Sequence, residues 1–221
     1  MGVIEEVKGQ PTEWLSETVL IPKAGTKEIR MCTDMKAANT AISREKYEMP
    51  NMESIIHKAH GMKSFSKIDL KAAFEQIELD PDCRYISRFR THLGIFQHTR
   101  LFFGVNSAPE IFHNIIRSLL AGIDNVINAT DDILIMGKDD VENRKAVRQV
   151  LERLRDNNLT AKELKCEFEK KRITFFGLEF SEDGVSLSNL KTQALKNFAS
   201  PASKAELHSF LALANYASRW I

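Results

Sequence analysis

Three aspartates have the side chains and the setting needed for metal-assisted chemistry. Asp131 and Asp132 lie between two β-prone apolar runs, so both carboxylates should project from one hairpin turn. Asp69 lies near the end of another strand-like segment, residues 64–70. Carboxylate oxygens are the ligands that Mg²⁺ prefers, and two such ions about 4 Å apart can promote phosphoryl transfer. The Asp-Asp pair alone is a weak indication, because such pairs are common in turns.

The elements that would position these carboxylates follow from the hydrophobic pattern of the chain. Apolar residues at helical spacing predict helices at 51–60, from 107 to Gly122, and from a cap at Asp139 and Asp140 to about 157. The predicted buried stripe of the last of these helices consists of Val147, Val150, Leu151 and Leu154. β-prone runs predict hairpins at 18–32, around Gly94, around the Asp-Asp pair and at 173–187, where the run 173–180 turns at Asp183 and Gly184. With a helical section from 189, this order predicts an α+β chain.

Composition limits the classes of protein that the chain could belong to. The 221 residues are 43% hydrophobic and 28% charged, enough for one core or two subdomains. A net charge of +1 excludes a strongly basic chain, so contacts with nucleic acid must come from local clusters of Lys and Arg. Three widely spaced cysteines predict neither a zinc site nor a disulfide framework. We expect an intracellular protein without a membrane segment, in a cytoplasmic particle or the nucleus, which the sequence does not distinguish.

Three segments in a fixed order carry a resemblance to a known family. They are residues 65–74 (FSKIDLKAAF), 101–112 (LFFGVNSAPEIF) and 130–135 (TDDILI), and shorter matches follow at 165–168, 175–178 and 210–216. Together they resemble the reverse transcriptases of long-terminal-repeat retrotransposons of the gypsy (Ty3) type, over nearly the whole chain. The resemblance implies a right-hand polymerase fold, in which an antiparallel palm sheet backed by helices carries a fingers subdomain.

The resemblance also implies a division of the chain into subdomains. Its expected parts are fingers at 1–46, palm at 47–77, fingers again at 78–103, palm at 104–188 and the start of the thumb at 189–221. We expect the chain to begin inside the fingers and to end inside the thumb. The ribonuclease H and integrase regions to which such a domain is normally fused would then be absent here.

By the same resemblance, the aspartates are the catalytic residues of the site. Asp69, Asp131 and Asp132, together with the backbone carbonyl of Leu70, would hold two Mg²⁺ ions, with Mn²⁺ as an alternative. Lys165 is a candidate general acid that would protonate the departing pyrophosphate.

The resemblance assigns other residues to the substrates. Lys23 and Arg30 would grip the triphosphate, and Phe74 would stack under the incoming sugar and exclude a 2′-hydroxyl. Phe103 and Gly104 would pack against the nucleotide and the template base.

Phe175, Phe176 and Gly177 match the hairpin that would hold the primer terminus. The alternatives remain core packing for the phenylalanines at 74, 103 and 175, and a solvated basic face for Lys23 and Arg30.

The predicted activity is RNA-directed DNA polymerisation, with deoxynucleoside triphosphates added to a primer on an RNA or DNA template. One departure is Ala129, which stands where the family usually has Tyr, two residues before the acidic pair. The alternative is a catalytically silent retroelement remnant that folds and binds nucleic acid or a protein partner. An RNA-dependent RNA polymerase is disfavoured by Phe74 and by the C-terminal matches.

Overall fold

The computed structural model describes residues 2–22, 29–44 and 52–218. Within these ranges the strands are β1 (Ile4–Glu6), β2 (Thr18–Pro22), β3 (Ile29–Thr33), β4 (Ser64–Asp69), β5 (Phe89–Thr91), β6 (Gly94–His98), β7 (Val126–Ala129), β8 (Asp132–Gly137), β9 (Glu167–Lys170), β10 (Arg172–Phe175), β11 (Leu178–Ser181) and β12 (Gly184–Leu187). The α-helices are α1 (Met52–Ala59), α2 (Ala108–Leu119), α3 (Asp140–Asp156), α4 (Asn189–Lys196) and α5 (Lys204–Ala217). The predicted α+β class is confirmed.

The chain divides into two compact units. Unit 1 comprises Met1–Met49, Leu70–Leu119 and Asn157–Thr160, and unit 2 comprises Pro50–Asp69, Leu120–Asp156 and Ala161–Ile221. Each unit therefore contains segments that are distant in sequence. The finer boundaries between fingers, palm and thumb remain a prediction.

Unit 2 contains an antiparallel sheet with the strand order β7-β8-β4-β9. Residues 133–137 of β8 are all buried, which explains why this strand is a continuous apolar run rather than an alternating one. Phe65 of β4 packs against Phe180 of β11 with ring centroids 6.2 Å apart, in a core that also includes Ile55 of α1. The neighbouring residue Ser66 points the other way, toward α3, because successive side chains of a strand alternate between faces.

Helix α3 is attached to this sheet by a buried polar residue, Asn143. Its side-chain Oδ1 accepts a hydrogen bond from Ser66 Oγ at 2.6 Å, and its Nδ2 donates to the carbonyl oxygens of Ser64 and Ile135, both at 3.1 Å. Asn143 is completely buried, and these bonds satisfy its amide. They connect one helix to both central strands, so they hold α3, β4 and β8 in a single arrangement.

The predicted start of α3 is confirmed, whereas its predicted buried stripe is only half right. Asp139 Oδ1 accepts a hydrogen bond from the backbone NH of Glu142 at 2.8 Å, as a helix-capping residue does. Val150 and Leu154 are buried, but Leu151 is 41% exposed. Asn143 and Ala146 complete the buried face instead. The apolar pattern misplaced the stripe because one of its buried positions is polar.

Unit 1 contains a sheet with the strand order β1-β6-β5 and the separate β2-β3 hairpin. The pairing of β2 with β3 confirms the hairpin predicted at 18–32, and its tip, residues 23–28, lies outside the described residues. The hairpin predicted around Gly94 is formed by β5 and β6. Helix α2 begins at Ala108 and buries Phe112 and Ile116, as the helical spacing predicts.

The prediction of one continuous strand over 173–180 is wrong. The chain turns at Phe176 and Gly177, so that β10 and β11 pair with each other, with Phe175 opposite Leu178. Both turn residues have a positive φ, +54° and +79°, which is the pattern of a tight two-residue hairpin turn. The next hairpin pairs Ser181 with Gly184, so its turn lies one residue before the predicted position.

The segment after β12 is helical, as predicted, and forms α4 and α5. Phe198, two residues after the end of α4, packs against Phe210 of α5 with ring centroids 5.3 Å apart. Across the described ranges, no helix combines the length and the apolar character needed to cross a lipid bilayer.

We expect Asn143→Ala to lower the free energy of unfolding by about 2 to 3 kcal/mol, because it leaves buried polar groups of Ser66 and the strand backbone without their partner. Urea unfolding followed by circular dichroism measures this change. Gln149→Ala, at an exposed position of the same helix, is the matched control and should change stability by less than about 0.5 kcal/mol. Equal effects of the two substitutions would refute the structural role of Asn143.

Candidate active site

The pairing of β4 with β8 brings two of the predicted catalytic residues together. Asp69, the last residue of β4, lies directly opposite Asp132, the first residue of β8, in the antiparallel register. Side chains at such paired positions have Cβ atoms about 4.5 to 5.5 Å apart. Asp69 is 9% exposed and Asp132 is half-buried. Two carboxylates from distant parts of the sequence therefore share one end of the sheet.

Asp131 belongs to the tight turn that joins β7 to β8. Ala129 pairs with Asp132, so the predicted hairpin is confirmed, but its two-residue loop consists of Thr130 and Asp131, one residue before the position between the two predicted runs. Thr130 has a φ of +57°, which is unusual for a β-branched residue. Backbone strain of this kind is often found where a site must place a side chain accurately. Asp131 is exposed and the adjacent Asp132 is half-buried, so this turn places two carboxylates at the same end of the sheet.

Two lysines and a glutamate complete the surroundings of the carboxylates. Lys165, in a 3₁₀ turn before β9, donates a hydrogen bond to Asp69 Oδ2 at 2.8 Å. Lys67 Nζ forms an ion pair with Glu167 Oε1 at 2.7 Å. A cavity of about 400 Å³ is lined by Lys67, Asp69, Asp132, Leu164, Lys165 and Glu167. The cavity is thus lined mainly by charged side chains.

The electrostatics of the cavity show that negative charge is crowded there. Burial raises the pKa of Asp132 above its ordinary value, and the charges of Asp131 and Asp69 raise it further. The hydrogen bond to Asp69 raises the pKa of Lys165, with contributions from the charges of Asp132 and Asp131. The three carboxylates therefore repel one another and attract cations.

The side chains around the carboxylates can be compared with the ligand set that a divalent cation needs. Among the described residues, no three His, Cys, Asp or Glu side chains are arranged closely enough to hold a metal ion by themselves. Mg²⁺ is commonly bound by one or two carboxylates, with waters and substrate phosphates as its other ligands. The Lys165 ammonium beside Asp69 marks a position that favours positive charge. The carboxylates present therefore supply part of the ligand set of a divalent cation, and water or substrate would have to supply the rest.

The residues predicted to contact the nucleotide lie in unit 1. Phe74 is 7% exposed, and its ring packs against Phe103 at 4.9 Å and Phe112 at 5.5 Å between centroids. Phe103 is 40% exposed. Leu70 is buried directly after Asp69. These contacts agree with the core-packing alternative for Phe74, and its role toward a sugar stays a prediction.

Gly104 occupies a position that only glycine fits. Its φ is +116°, and an added Cβ would lie 2.7 Å from the carbonyl oxygen of Thr33. Asn39 holds the segment on both sides: its Nδ2 donates to Gly104 O at 2.8 Å and its Oδ1 accepts from the backbone NH of Asn106 at 3.0 Å. The loop that starts at Phe103 is therefore fixed by two hydrogen bonds.

The two basic residues that are predicted to bind the triphosphate are not fully described by the structure. Lys23 lies outside the described residues, and so does the side chain of Arg30, whose backbone belongs to β3.

The predicted primer-binding residues lie at the β10-β11 turn. Phe175 is 1% exposed and Phe176 is 52% exposed, so only the second of these rings faces solvent.

Three residues of these sites are not among those predicted from the sequence, although two of them carry a recognisable signal. Lys67 lies two positions before Asp69, so the alternation of the strand puts both side chains on the same face. Glu167 pairs with Lys67 across β4 and β9, and opposite charges at paired positions are favourable. Asn39 carries no such local signal, because its partners are more than 60 residues away.

Comparison with known proteins identifies the family. Residues 21–180, most of the chain, match the family model described as reverse transcriptase (RNA-dependent DNA polymerase). The chain belongs to the reverse transcriptase family. The matched segment of this reverse transcriptase chain contains Asp69, Asp131 and Asp132.

Curated relatives place this reverse transcriptase among retrotransposon proteins. An uncharacterized protein of Caenorhabditis elegans is 34% identical over 99% of the chain, and the Tf2-3 transposon polyprotein of Schizosaccharomyces pombe is 31% identical over 100% of it. The Pol polyprotein from transposon 297 of Drosophila melanogaster is 30% identical over 93%. The chain spans 17%, 16% and 20% of these three relatives. The predicted retrotransposon type of reverse transcriptase is confirmed.

Solved structures confirm the polymerase fold. A foamy viral protease-reverse transcriptase in complex with double-stranded DNA matches with a TM-score of 0.88 at 24% identity, over 98% of this chain and 38% of that one. The same viral protein in complex with an RNA/DNA hybrid matches with a TM-score of 0.84 at 24% identity, over 98% of this chain and 29% of that one. The predicted palm-and-fingers polymerase class is therefore the observed fold of this reverse transcriptase.

Without divalent ions, we expect Asp132→Asn to raise the free energy of unfolding at pH 7 by about 0.5 to 2 kcal/mol, because it relieves crowded charge at a functional site. The folded-state pKa of Asp132 is raised, so its stabilising contribution is present at low pH and is lost as pH rises through that pKa. The increase in the free energy of unfolding caused by Asp132→Asn should therefore become smaller as pH falls. Urea unfolding in EDTA at several pH values measures it.

Asp124→Asn removes the same charge from an exposed position and serves as the control, with little expected change. A gain for Asp132→Asn that does not depend on pH would contradict the electrostatic explanation.

Proposed function

We propose that this chain is the RNA-directed DNA polymerase domain of a retrotransposon, which adds deoxynucleotides to the 3′ end of a primer. The observation that carries the proposal is the register that sets Asp69 opposite Asp132, beside Asp131 in the adjoining turn. Membership of the reverse transcriptase family supports it. Because the chain spans a minor part of its curated relatives, its own turnover is the point to be tested.

In this proposal, Asp69, Asp131 and Asp132, with the carbonyl of Leu70, hold two Mg²⁺ ions. When bound, such ions lower the pKa of an attacking hydroxyl and neutralise charge on the triphosphate. The register of β4 and β8 fixes the carboxylates before substrate arrives, which reduces the reorganisation needed for reaction. Lys165, which donates a hydrogen bond to Asp69 beside the proposed ion site, would protonate the departing pyrophosphate.

The proposed substrates are deoxynucleoside triphosphates and a primer on an RNA or DNA template. Complexes of the foamy viral protein with double-stranded DNA and with an RNA/DNA hybrid support such a template. Lys23, Arg30, Phe74, Phe103 and Gly104 would bind the nucleotide. Phe175, Phe176 and Gly177 would bind the primer, and the fingers, palm and thumb would follow the division expected from the sequence.

Asp131→Asn should reduce Mg²⁺-dependent primer extension on an RNA template by about 100-fold or more, because it removes one charged oxygen from the proposed ion site. Single-turnover incorporation of one deoxynucleotide measures the rate. Asp139→Asn is the matched control, since Asn also caps helices well and Asp139 lies at the start of α3. The control should retain the wild-type rate.

Equal incorporation by wild type and Asp131→Asn would refute the assignment of the site. A wild-type chain that binds primer and template without extending them would instead support the silent remnant, for which Ala129 is the relevant departure. Ala129 is 4% exposed and pairs with Asp132, so the small residue packs in the core and leaves the register of the carboxylates intact.

Phe74→Val should raise the incorporation of ribonucleotides relative to deoxynucleotides by about tenfold or more, if the ring excludes the 2′-hydroxyl. The ratio of kcat/KM for matched ribo- and deoxynucleotides measures this selectivity. Phe112→Val, in the same aromatic cluster, controls for lost packing, because a loss of stability lowers both rates without changing their ratio. An unchanged ratio in Phe74→Val would assign Phe74 to core packing.

A further inference from the structure

The C-terminal helices of unit 2 contact the turn at which the primer is proposed to bind. Tyr216, on α5, donates a hydrogen bond from its hydroxyl to the carbonyl oxygen of Phe176 at 3.0 Å, across 40 residues of sequence. The backbone NH of Ser188 donates to Gly177 O at 3.2 Å. The turn between β10 and β11 is therefore held by hydrogen bonds from outside its own hairpin.

Lys191, on α4, lies over the same turn. Its Nζ is 4.0 Å from the centre of the Tyr216 ring, a distance typical of a cation–π contact. A Cβ added to Gly177 would lie 3.0 Å from Lys191 Cε, 3.1 Å from the Tyr216 hydroxyl and 3.6 Å from Lys191 Nζ. The absence of a side chain at Gly177 thus leaves room for the lysine to lie close to the backbone of the turn.

Within the described part of the chain, the ammonium of Lys191 contacts an aromatic ring rather than a carboxylate. No ion pair joins this ammonium to a carboxylate of the residues that the structure describes, and the Tyr216 ring carries no net charge. An ammonium fixed in this way can bind an anion without the cost of ordering a free lysine side chain. Phosphodiester groups are the anions of a nucleic acid, and lysine is a common ligand for them.

We propose that Lys191 binds a phosphate of the primer strand next to the Phe176 and Gly177 turn, and that Tyr216 positions both the lysine and the turn. This inference rests on the proposed polymerase function and adds two residues to its primer-binding surface. Lys191 contacts the nucleic acid directly, whereas Tyr216 acts as a positioning residue. The C-terminal helices thereby help to place the primer terminus.

Fluorescence anisotropy of the 221-residue chain with a labelled RNA/DNA primer–template tests the phosphate contact. Lys191→Gln should weaken binding and lower the slope of log affinity against log salt by about one, the value for one lost phosphate contact. The ratio of wild-type to variant affinity should therefore change about three- to fourfold between about 50 mM and about 200 mM salt. Lys196→Gln, which removes the same charge from an exposed position of the same helix, should change the slope much less. Lys191→Arg should restore it.

Primers with single neutral methylphosphonate linkages locate the phosphate. In the wild type, one linkage near the 3′ end should weaken binding, and the same linkage should have no effect in Lys191→Gln, because residue and phosphate act as a pair. Tyr216→Phe keeps the ring and should weaken binding without changing the salt slope or the KM for nucleotide. Urea midpoints of all variants show that they remain folded.

Equal effects of every neutral linkage in wild type and Lys191→Gln would overturn the inference, as would equal salt slopes. Such a result leaves the polymerase proposal standing if Asp131→Asn still abolishes extension. A wild-type chain that binds no primer–template would overturn both proposals. Because binding is measured without turnover, failure of the phosphate contact and failure of catalysis are distinguishable.

Discussion

The antiparallel register between β4 and β8 is the constraint on which the candidate active site depends. A shift of one residue would move Asp69 to the opposite face of the sheet and separate it from Asp132. The register is secured from both faces. Phe65 fills the core beside Phe180, and Ser66 bonds to Asn143 of α3. A shift of one residue would therefore disrupt the Phe65 packing on one face and the Ser66–Asn143 hydrogen bond on the other, as well as the pairing of the two carboxylates.

Bringing the carboxylates together causes electrostatic repulsion between them, which the neighbouring lysines only partly offset. Three carboxylates gather at one end of the sheet, and the pKa of Asp132 rises through burial and through the charges of its neighbours. Lys165 pairs with Asp69, while Lys67 is engaged by Glu167. The lysines therefore balance part of the negative charge of the three carboxylates. In the proposed function, divalent cations that bind together with a phosphate-bearing substrate would supply the missing positive charge.

The sequence predicts those parts of the fold that have a local cause. The hairpin at Asp131 follows from two apolar runs that meet at a polar turn, and the start of α3 follows from a capping residue. Parts that depend on distant contacts were missed. The buried amide of Asn143 resembles an ordinary polar surface position until its partners on β4 and β8 are known. The turn at Phe176 and Gly177 lies within an apolar run, where β-propensity favours a continuous strand.

The same distinction between local and distant causes explains why the turn proposed to bind the primer is harder to predict than the carboxylates. Gly177 could signal a turn, but its meaning depends on Lys191 and Tyr216, which approach it from two helices later in the chain. A hydrogen bond to a backbone carbonyl leaves no pattern in the sequence, because any residue at position 176 supplies the same oxygen. The positive φ values at positions 176 and 177 and the close approach of Lys191 and Tyr216 become apparent only in the folded structure. The carboxylates can thus be predicted from residue type and local pattern, whereas the arrangement of the Phe176 and Gly177 turn depends on contacts with residues distant in sequence.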